Sequence, residues 1–246
     1  MDNIKISICA SAIRPEPFFD VTKYPELKYI YSSTKPSQCY EICFRSAKSE
    51  LISWGSDDSF FDANSLDALY KMYQEENNEK LVMEVRPIED GREITSHTFK
   101  GGETPHMAPF GVVNRELFHK LGGYDRQFIC GQAENDVVMR FIEIGGVVKT
   151  CQGAIVRVEH NKGHSGLSVF RGGANGNPGF YGEDRKVLEP LWITETGMRI
   201  LTGVKAQDDP VDWSKFVRKT RSRPVDRYQG SLEELILKTE GPVGVW

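Results

Sequence analysis

Long hydrophobic runs are missing from this sequence. Nowhere do about 18 apolar residues follow one another, so the sequence predicts no helix that spans a bilayer. The opening residues, MDNIKISICAS, lack a basic stretch followed by a long apolar one, and we expect no secretory signal. A basic excess is missing too, because 31 Lys and Arg stand against 35 Asp and Glu, a formal net charge of −4. That balance argues against a nucleic-acid-binding protein.

Paired cysteines are also lacking. The five cysteines are an odd number, and no two of them form a CxxC motif: Cys9, Cys39, Cys43, Cys130 and Cys151. Such scattered spacing is typical of reduced thiols and argues against a disulfide framework or a zinc site. We therefore expect a cytoplasmic protein whose cysteines are structural.

What the sequence does contain is the composition of a folded domain. Of its 246 residues, 39% are hydrophobic and 27% are charged, which is ordinary for a globular protein. At about 150 residues per domain, this length predicts one large domain, or one domain with an appendage. We assign the domain to residues 1–190 and a helical extension to residues 191–246, because the strand-like runs stop near residue 190.

Short apolar runs alternate with amphipathic segments along the first part of the chain. This alternation predicts an α/β fold, with a mostly parallel central sheet and helices on both faces. The predicted strands are residues 4–10, 27–31, 51–54, 81–85, 92–98, 147–149 and 154–159. The predicted helices are residues 37–49, 64–76, 115–121, 136–144, 211–219 and 231–238, the last with a capping box from Ser231 to Glu234.

Two adjacent carboxylates, Asp57 and Asp58, directly follow the apolar run 51–54. Strand ends line the ligand crevice in open α/β sheets. Two neighbouring carboxylates repel each other unless a cation lies beside them, and oxygen ligands suit Mg²⁺ or Mn²⁺. The alternative interpretation is a solvated turn in which one aspartate caps a helix.

A second group of polar residues begins with the segment Gly122-Gly123-Tyr124-Asp125, called here the GGYD turn. It is followed by Glu134, Asp136 and Arg140 at and after the predicted start of a helix. A carboxylate at a helix N-terminus is favoured by the helix dipole, so a purely structural role is one interpretation. A general base pointing into a cleft is the other.

His160 ends the last predicted strand, where it can complete a metal site or can be an ordinary hydrogen-bonded histidine. In chain order, the motifs are a strand with Asp-Asp, the GGYD turn, a Glu-x-Asp helix with Arg140, and a strand with His160. That order resembles the GT-A glycosyltransferases, especially the family 2-like group. The resemblance covers about residues 4–160 and includes ISICASAIRPEPF, LISWGSDDSFF and LGGYDRQFICGQAENDVVMRFIEIGG.

The resemblance implies a role for each matching residue. Glu134 would be the catalytic base, and Asp57, Asp58 and His160 would hold Mn²⁺ or Mg²⁺. The residues implied in nucleotide-sugar binding are Ser11, Arg14, Glu16, Ser32, Trp54, Asp57, Asp58, Gly123 and Asp136, with Gly55 close to them. The chain departs from the family in a short segment before Asp57, in Ser32 where an acidic residue is common, and in Ala133-Glu134 where the family has Glu-Asp.

The implied activity is metal-dependent transfer of a sugar from a nucleotide sugar, UDP- or GDP-linked, to a hydroxyl of a glycan or other acceptor, with inversion. One alternative is a non-catalytic nucleotide- or carbohydrate-binding module on the same fold. Another is a nucleotidyltransferase, which would need a glycine-rich phosphate loop that the first strand lacks.

Two further segments have open interpretations. Residues 161–182 are rich in Gly and Asn and predict a long loop, either a lid over donor and acceptor or an unstructured insertion. A basic cluster near the end of the chain suits either a peripheral contact with an anionic membrane or partner, or a solvated face. Its members are Lys215, Arg218, Lys219, Arg221, Arg223 and Arg227.

Overall fold

A computed structural model describes residues 6–10, 23, 27–32, 34–55, 59–93, 108, 110–159, 181–193 and 220–237. Several predicted site residues lie outside these ranges: Ser11, Arg14, Glu16, Asp57, Asp58 and His160. The predicted helix 211–219 and residues 161–180 of the predicted loop also lie outside them. Among the described residues, no helix is long and apolar enough to cross a bilayer.

A six-stranded sheet forms the centre of the described structure, in the order β3–β7–β5–β8–β4 with β6 beside β5. Its strands are β3 (Leu51–Ser53), β4 (Ser59–Phe61), β5 (Leu81–Glu89), β6 (Arg92–Glu93), β7 (Gly111–Asn114) and β8 (Val147–Val158). A separate parallel pair consists of β1 (Ile6–Ala10) and β2 (Leu27–Tyr31), and an antiparallel pair of β9 (Trp192–Ile193) and β10 (Thr220–Arg221).

The strand directions are more mixed than the sequence predicts. Within the six-stranded sheet β5 and β8 run parallel, while β3–β7, β5–β7, β4–β8 and β5–β6 are antiparallel. The predicted α/β class is confirmed, but the expected mostly parallel arrangement becomes a mixed sheet. One cause is local, because Asp90 and Gly91 adopt positive φ of 48° and 79° and turn β5 straight back into β6.

Helices cover both faces of this sheet, as predicted. They are α1 (Pro36–Ser46), α2 (Ser65–Glu76), α3 (Arg115–Lys120), α4 (Ala133–Glu143), α5 (Tyr181–Leu191) and α6 (Leu232–Leu237). Side chains alternate along β5: Val82 packs with Leu117 of α3 and Phe141 of α4, whereas Met83 packs with Leu69 of α2. The two apolar faces of β5 therefore belong to two separate cores.

Local chemistry explains why most predicted elements form where they do. Asn114 caps α3, because its side-chain oxygen accepts the N–H of Leu117 at 2.9 Å. The predicted capping box of α6 is present, with Ser231 N–H donating to Glu234 at 2.7 Å and Glu234 N–H donating to Ser231 at 3.2 Å.

Several elements and their boundaries differ from the prediction. Helix α4 begins at Ala133, three residues earlier than expected, so Glu134 lies in its first turn. The predicted strands 147–149 and 154–159 are one strand, β8, with a register shift opposite Val85 and Arg86. The sequence patterns did not predict β4, β7 or α5, and the strands do not stop near residue 190, because β9 and β10 follow it.

The described part of residues 191–246 packs into the main core. Trp192, Tyr228 and Leu235 are all buried there, with Trp192 fully inaccessible. The predicted boundary at residue 190 also falls inside α5. The division into a domain and an extension stays a prediction, but the described residues of that extension do not form a separate body from the core.

Candidate functional site

Glu134 lies at the start of α4, directly after a sharp turn of the chain. Gln132, the residue before the helix, has a left-handed φ of 64° and contributes no side-chain cap. The carboxylate of Glu134 accepts the N–H of Gln132 at 3.2 Å. Glu134 is half-buried, so it satisfies one backbone group of the helix start while part of its surface remains accessible.

Burial is the main influence on the acidity of Glu134 and raises its pKa to about 7. Hydrogen bonds from its own N–H and that of Gln132 act in the opposite direction, and the negative charge of Asp184 raises the pKa further. A carboxyl group with a pKa near neutrality takes up and releases a proton readily at pH 7, which suits a general acid or base.

Asp184, on α5, holds the loop that leads into α4. Its Oδ1 accepts the N–H of Ile129 at 2.7 Å, and its Oδ2 accepts those of Cys130 and Gly131 at 2.8 and 2.7 Å. Asp184 is fully buried. Three backbone donors on one buried carboxylate fix this loop, and with it the place where Glu134 enters the helix.

Asp136 lies two residues beyond Glu134, in a different environment. It is inaccessible to solvent, and it receives hydrogen bonds from Arg140 Nε at 3.1 Å, Trp192 Nε1 at 2.9 Å and Arg221 Nε at 2.9 Å. Both of its oxygens are occupied by these partners. The geometry therefore argues against the predicted contact of Asp136 with a nucleotide sugar and makes it a support of the helix start.

The GGYD turn is fixed by Glu41, a buried residue of α1 that the sequence reasoning missed. The carboxylate of Glu41 accepts the N–H of Tyr124 at 3.0 Å and Arg45 Nε at 2.8 Å. Gly123 has a φ of 69°, and a Cβ there would lie 2.6 Å from Glu41 Oε2. Gly123, predicted to touch the donor, is therefore required for the turn to approach Glu41.

Two tyrosine rings connect the GGYD turn with the residues that follow β3. Tyr124 is buried, and its pKa is raised well above the ordinary value by burial, then by the charge of Glu134 and by Tyr40. The rings of Tyr40 and Tyr124 are 5.9 Å apart, and the Tyr40 hydroxyl donates to the carbonyl of Gly55. Tyr124 of the GGYD turn is thus linked through Tyr40 to Gly55, the residue that precedes segment 56–58.

Trp54 and Ser32, both predicted to bind the donor, are buried and engaged with other parts of the protein. Trp54 is 3% exposed, its Nε1 donates to the carbonyl of Ala108 at 3.0 Å, and its ring lies against Gly111. The hydroxyl of Ser32 donates to the carbonyl of Ile236 at 3.3 Å. In the described structure both residues pack the core beside the candidate site.

Residues next to the predicted metal ligands in the sequence pair with each other at one edge of the sheet. Ser59, which follows Asp58 in the chain, pairs with Val158, which precedes Glu159 and His160. Among the described residues themselves, no group of three or more His, Cys, Asp or Glu could hold a metal ion.

The residues that sequence reasoning missed share one property. Glu41, Asp184 and Tyr40 act through long-range hydrogen bonds, and Arg221 was placed in a surface basic cluster although it is buried. Several other buried residues of α1 are polar as well, so no signal in the sequence singled out Glu41.

No family model and no curated protein matches the chain. Among solved structures it is similar to GalNAc-T7, crystallised with UDP, GalNAc and Mn²⁺, at 14% identity and a TM-score of 0.55 over 78% of this chain and 42% of that one. It is also similar to residues 1–349 of TarS from S. aureus in complex with UDP, at 12% identity and a TM-score of 0.52 over 63% of this chain and 51% of that one.

The chain thus spans about half, or less, of the length of these two structures. Both are GT-A fold glycosyltransferases. The chain has a GT-A-like fold, which confirms the predicted resemblance at the level of the fold.

Proposed function

We propose that this chain is a metal-dependent glycosyltransferase, family 2-like, that moves a sugar from a nucleotide-sugar donor to an acceptor hydroxyl with inversion. The observation that carries the proposal is the position of Glu134 on a GT-A-like fold. It lies half-buried at the start of a rigid helix, and burial raises its pKa to about 7. The two similar structures contain UDP, which supports a nucleotide as part of the donor.

The residues proposed for metal binding are Asp57, Asp58 and His160. Two carboxylates and an imidazole are a donor set that Mn²⁺ accepts, and the GalNAc-T7 structure contains Mn²⁺. The pairing of Ser59 with Val158 supports their convergence, because these two residues flank the motifs in the chain. When bound, the ion would offset the charge that develops on the leaving diphosphate.

Glu134 would accept the proton of the acceptor hydroxyl as that oxygen attacks the sugar. A base with a pKa near 7 combines a substantial ionised fraction at neutral pH with enough basicity to take the proton. Attack on the side opposite the leaving group breaks the bond to the diphosphate and inverts the anomeric carbon. Asp184 and the N–H of Gln132 keep the first turn of α4, and hence the Glu134 carboxylate, in place.

A non-catalytic nucleotide- or carbohydrate-binding module is the second candidate. The observation that favours it is the hydrogen bond from Gln132 N–H to Glu134, because a carboxylate that closes a helix start has a structural role without any reaction. Such a module would bind the same ligands and turn nothing over. Binding alone therefore does not separate the two candidates, and turnover does.

Calorimetric titration tests the ligand class first. We expect UDP or GDP to bind the wild-type protein with Mn²⁺ present, and binding to weaken at least about tenfold in Asp58→Asn, since one charged metal ligand is lost. The matched control is Asp67→Asn, which removes a carboxylate from the first turn of α2. No binding of any nucleoside diphosphate or nucleotide sugar, with or without Mn²⁺, would contradict both the glycosyltransferase and a nucleotide-binding module, and would leave only a carbohydrate-binding module.

A further inference from the structure

The side chain of Arg221, a member of the predicted basic cluster, makes hydrogen bonds inside the protein. Its Nε donates to Asp136 Oδ1 at 2.9 Å, its Nη2 to Asp125 Oδ2 at 2.5 Å, and its Nη1 to the carbonyl of Arg223 at 2.7 Å. Its backbone N–H donates to Glu143 at 3.0 Å. Because the side chain is buried, the prediction of a solvated face or membrane contact is wrong for Arg221.

The two aspartates that Arg221 joins belong to the two motifs of the candidate site. Asp125 is the last residue of the GGYD turn, and Asp136 is in the first turn of α4, two residues from Glu134. Both are inaccessible to solvent. Arg140 also contacts Asp136 but donates its remaining hydrogen bonds to the carbonyls of Leu121 and Gly123. Among the described ion pairs, the cation that faces Asp125 is Arg221.

The segment that carries Arg221 is itself anchored on both sides. On one side, β10 pairs with β9, and Ser222 N–H donates to the carbonyl of Leu191 at 2.9 Å. On the other side, Arg126 N–H donates to the carbonyl of Asp226 at 2.9 Å, and Asp125 forms a bridge with Arg227. The segment that carries the guanidinium is therefore held by β9 and Leu191 on one side and by the end of the GGYD turn on the other.

We propose that Arg221 is a positioning residue that sets the GGYD turn and the first turn of α4 relative to each other, and thereby fixes Glu134 in the candidate site. Its planar guanidinium spans two carboxylates at once, which the single ammonium group of a lysine does not reproduce. The consequence for sugar transfer rests on the proposed function. The consequence for the position of Glu134 is independent of it.

The structural consequence can be measured without any substrate. Carbon-13 NMR follows the titration of the Glu134 carboxyl group, which is assigned by its loss in Glu134→Gln. In Arg221→Lys we expect the pKa of Glu134 to fall toward that of an ordinary glutamate, because a loosened first turn admits water. Asp184 and the N–H groups of Gln132 and of Glu134 itself are the neighbouring groups that influence this titration, and the variant leaves all of them in the chain. Arg223→Lys, at an exposed neighbouring position, is the matched control and should titrate like the wild type.

The catalytic consequence is a split between the two kinetic constants. With any nucleotide sugar that the wild type turns over, Arg221→Lys should lower kcat about 100-fold with little change in the KM for the donor, because a displacement near 1 Å at the base costs about that much. The charge-balanced pair Asp125→Asn with Arg221→Gln provides a second variant without an unpaired buried charge, and we expect the same kinetic split and the same lowered pKa.

The outcomes separate this inference from the proposed function. A folded Arg221→Lys protein with the wild-type Glu134 titration would overturn the positioning role, whatever its activity. A lowered Glu134 pKa in a protein whose wild type transfers no sugar would support the positioning role and reject the proposed activity. If Arg221→Lys unfolds, the charge-balanced double variant decides, and its wild-type titration would likewise overturn the inference.

Discussion

Two kinds of buried carboxyl group occur in this domain, and they differ in what faces them. Asp125 and Asp136 are inaccessible and share the guanidinium groups of Arg140 and Arg221. Glu84, 1% exposed on β5, has one hydrogen bond, from Thr150 at 2.7 Å, and its Oε1 has no partner. Glu134 faces backbone N–H groups and the like charge of Asp184.

This difference separates carboxylates that stabilise the fold through ion pairs from carboxyl groups that gain or lose a proton near neutral pH. Cations opposite Asp125 and Asp136 compensate their burial, so these groups serve as fixed anchors. Glu84 and Glu134 lack a cation among the described partners, and burial raises the pKa of each to about 7. The charge state of these two groups therefore changes near neutral pH.

Removing one cation from the anchor network should have the largest effect on stability. Arg140→Met leaves two buried carboxylates, Asp125 and Asp136, facing one buried cation, Arg221. We therefore expect a loss of about 3–5 kcal/mol in the free energy of unfolding. Urea denaturation measures it. Lys71→Met, which removes an exposed ion pair with Glu75, is the matched control and should leave the midpoint unchanged. An equal change in the free energy of unfolding in the two variants would show that the buried ion pairs contribute no more to stability than an exposed one.

Glu84 should make the protein less stable as pH rises. Its folded-state pKa is raised from 4.5 to about 7, so the folded state holds the proton more tightly than the unfolded state does. Its stabilisation is complete below pH 4.5 and is lost between there and about pH 7, a span of roughly 3 kcal/mol. Because the raised pKa of Glu134 contributes a similar loss of stability, Glu84→Gln should remove only the Glu84 part, about half, of the slope in the stability profile measured by urea denaturation from pH 5 to pH 8. If stability falls just as steeply with pH in Glu84→Gln as in the wild type, the loss of stability is due to another group.

Replacing Asp184 should have a smaller effect on stability and should also change the pKa of Glu134. Asp184→Asn keeps a side chain of the same shape but weakens three hydrogen bonds to backbone N–H groups, at a cost of about 1–3 kcal/mol. It also removes a negative charge near Glu134, so the pKa of Glu134 should fall, as read by carbon-13 NMR. Glu183→Gln, a neighbouring exposed position in the same helix, is the control. An unchanged or higher Glu134 pKa in Asp184→Asn would contradict the arrangement described.

Sequence patterns were most informative where the determining contacts are local. The apolar spacing of α2, the Asn114 cap of α3 and the capping box of α6 each lie within a few residues, and all three helices were predicted. The α/β class and the GT-A resemblance also follow from the order of local motifs, and the fold confirms both.

Long-range partners explain what the sequence did not indicate. Asp136 was predicted to contact the ligand because the sequence does not reveal its actual partners. These are Trp192 and Arg221, which are 56 and 85 residues away. Arg221 looked like a surface residue because its neighbours in sequence are exposed. The strand β4 is only three residues long, too short for a reliable alternation pattern, and its position depends on pairing with β8.

The most direct test of the central claim compares turnover by the wild-type protein and Glu134→Gln. The assay measures sugar transfer from a panel of UDP- and GDP-sugars with Mn²⁺, alongside calorimetric binding of the same nucleotides. The proposed function predicts turnover of at least one donor by the wild type, and a loss of about 100-fold or more in Glu134→Gln with nucleotide binding unchanged. Equal turnover in both proteins would contradict the role of Glu134, and tight binding without turnover in the wild type would identify a binding module.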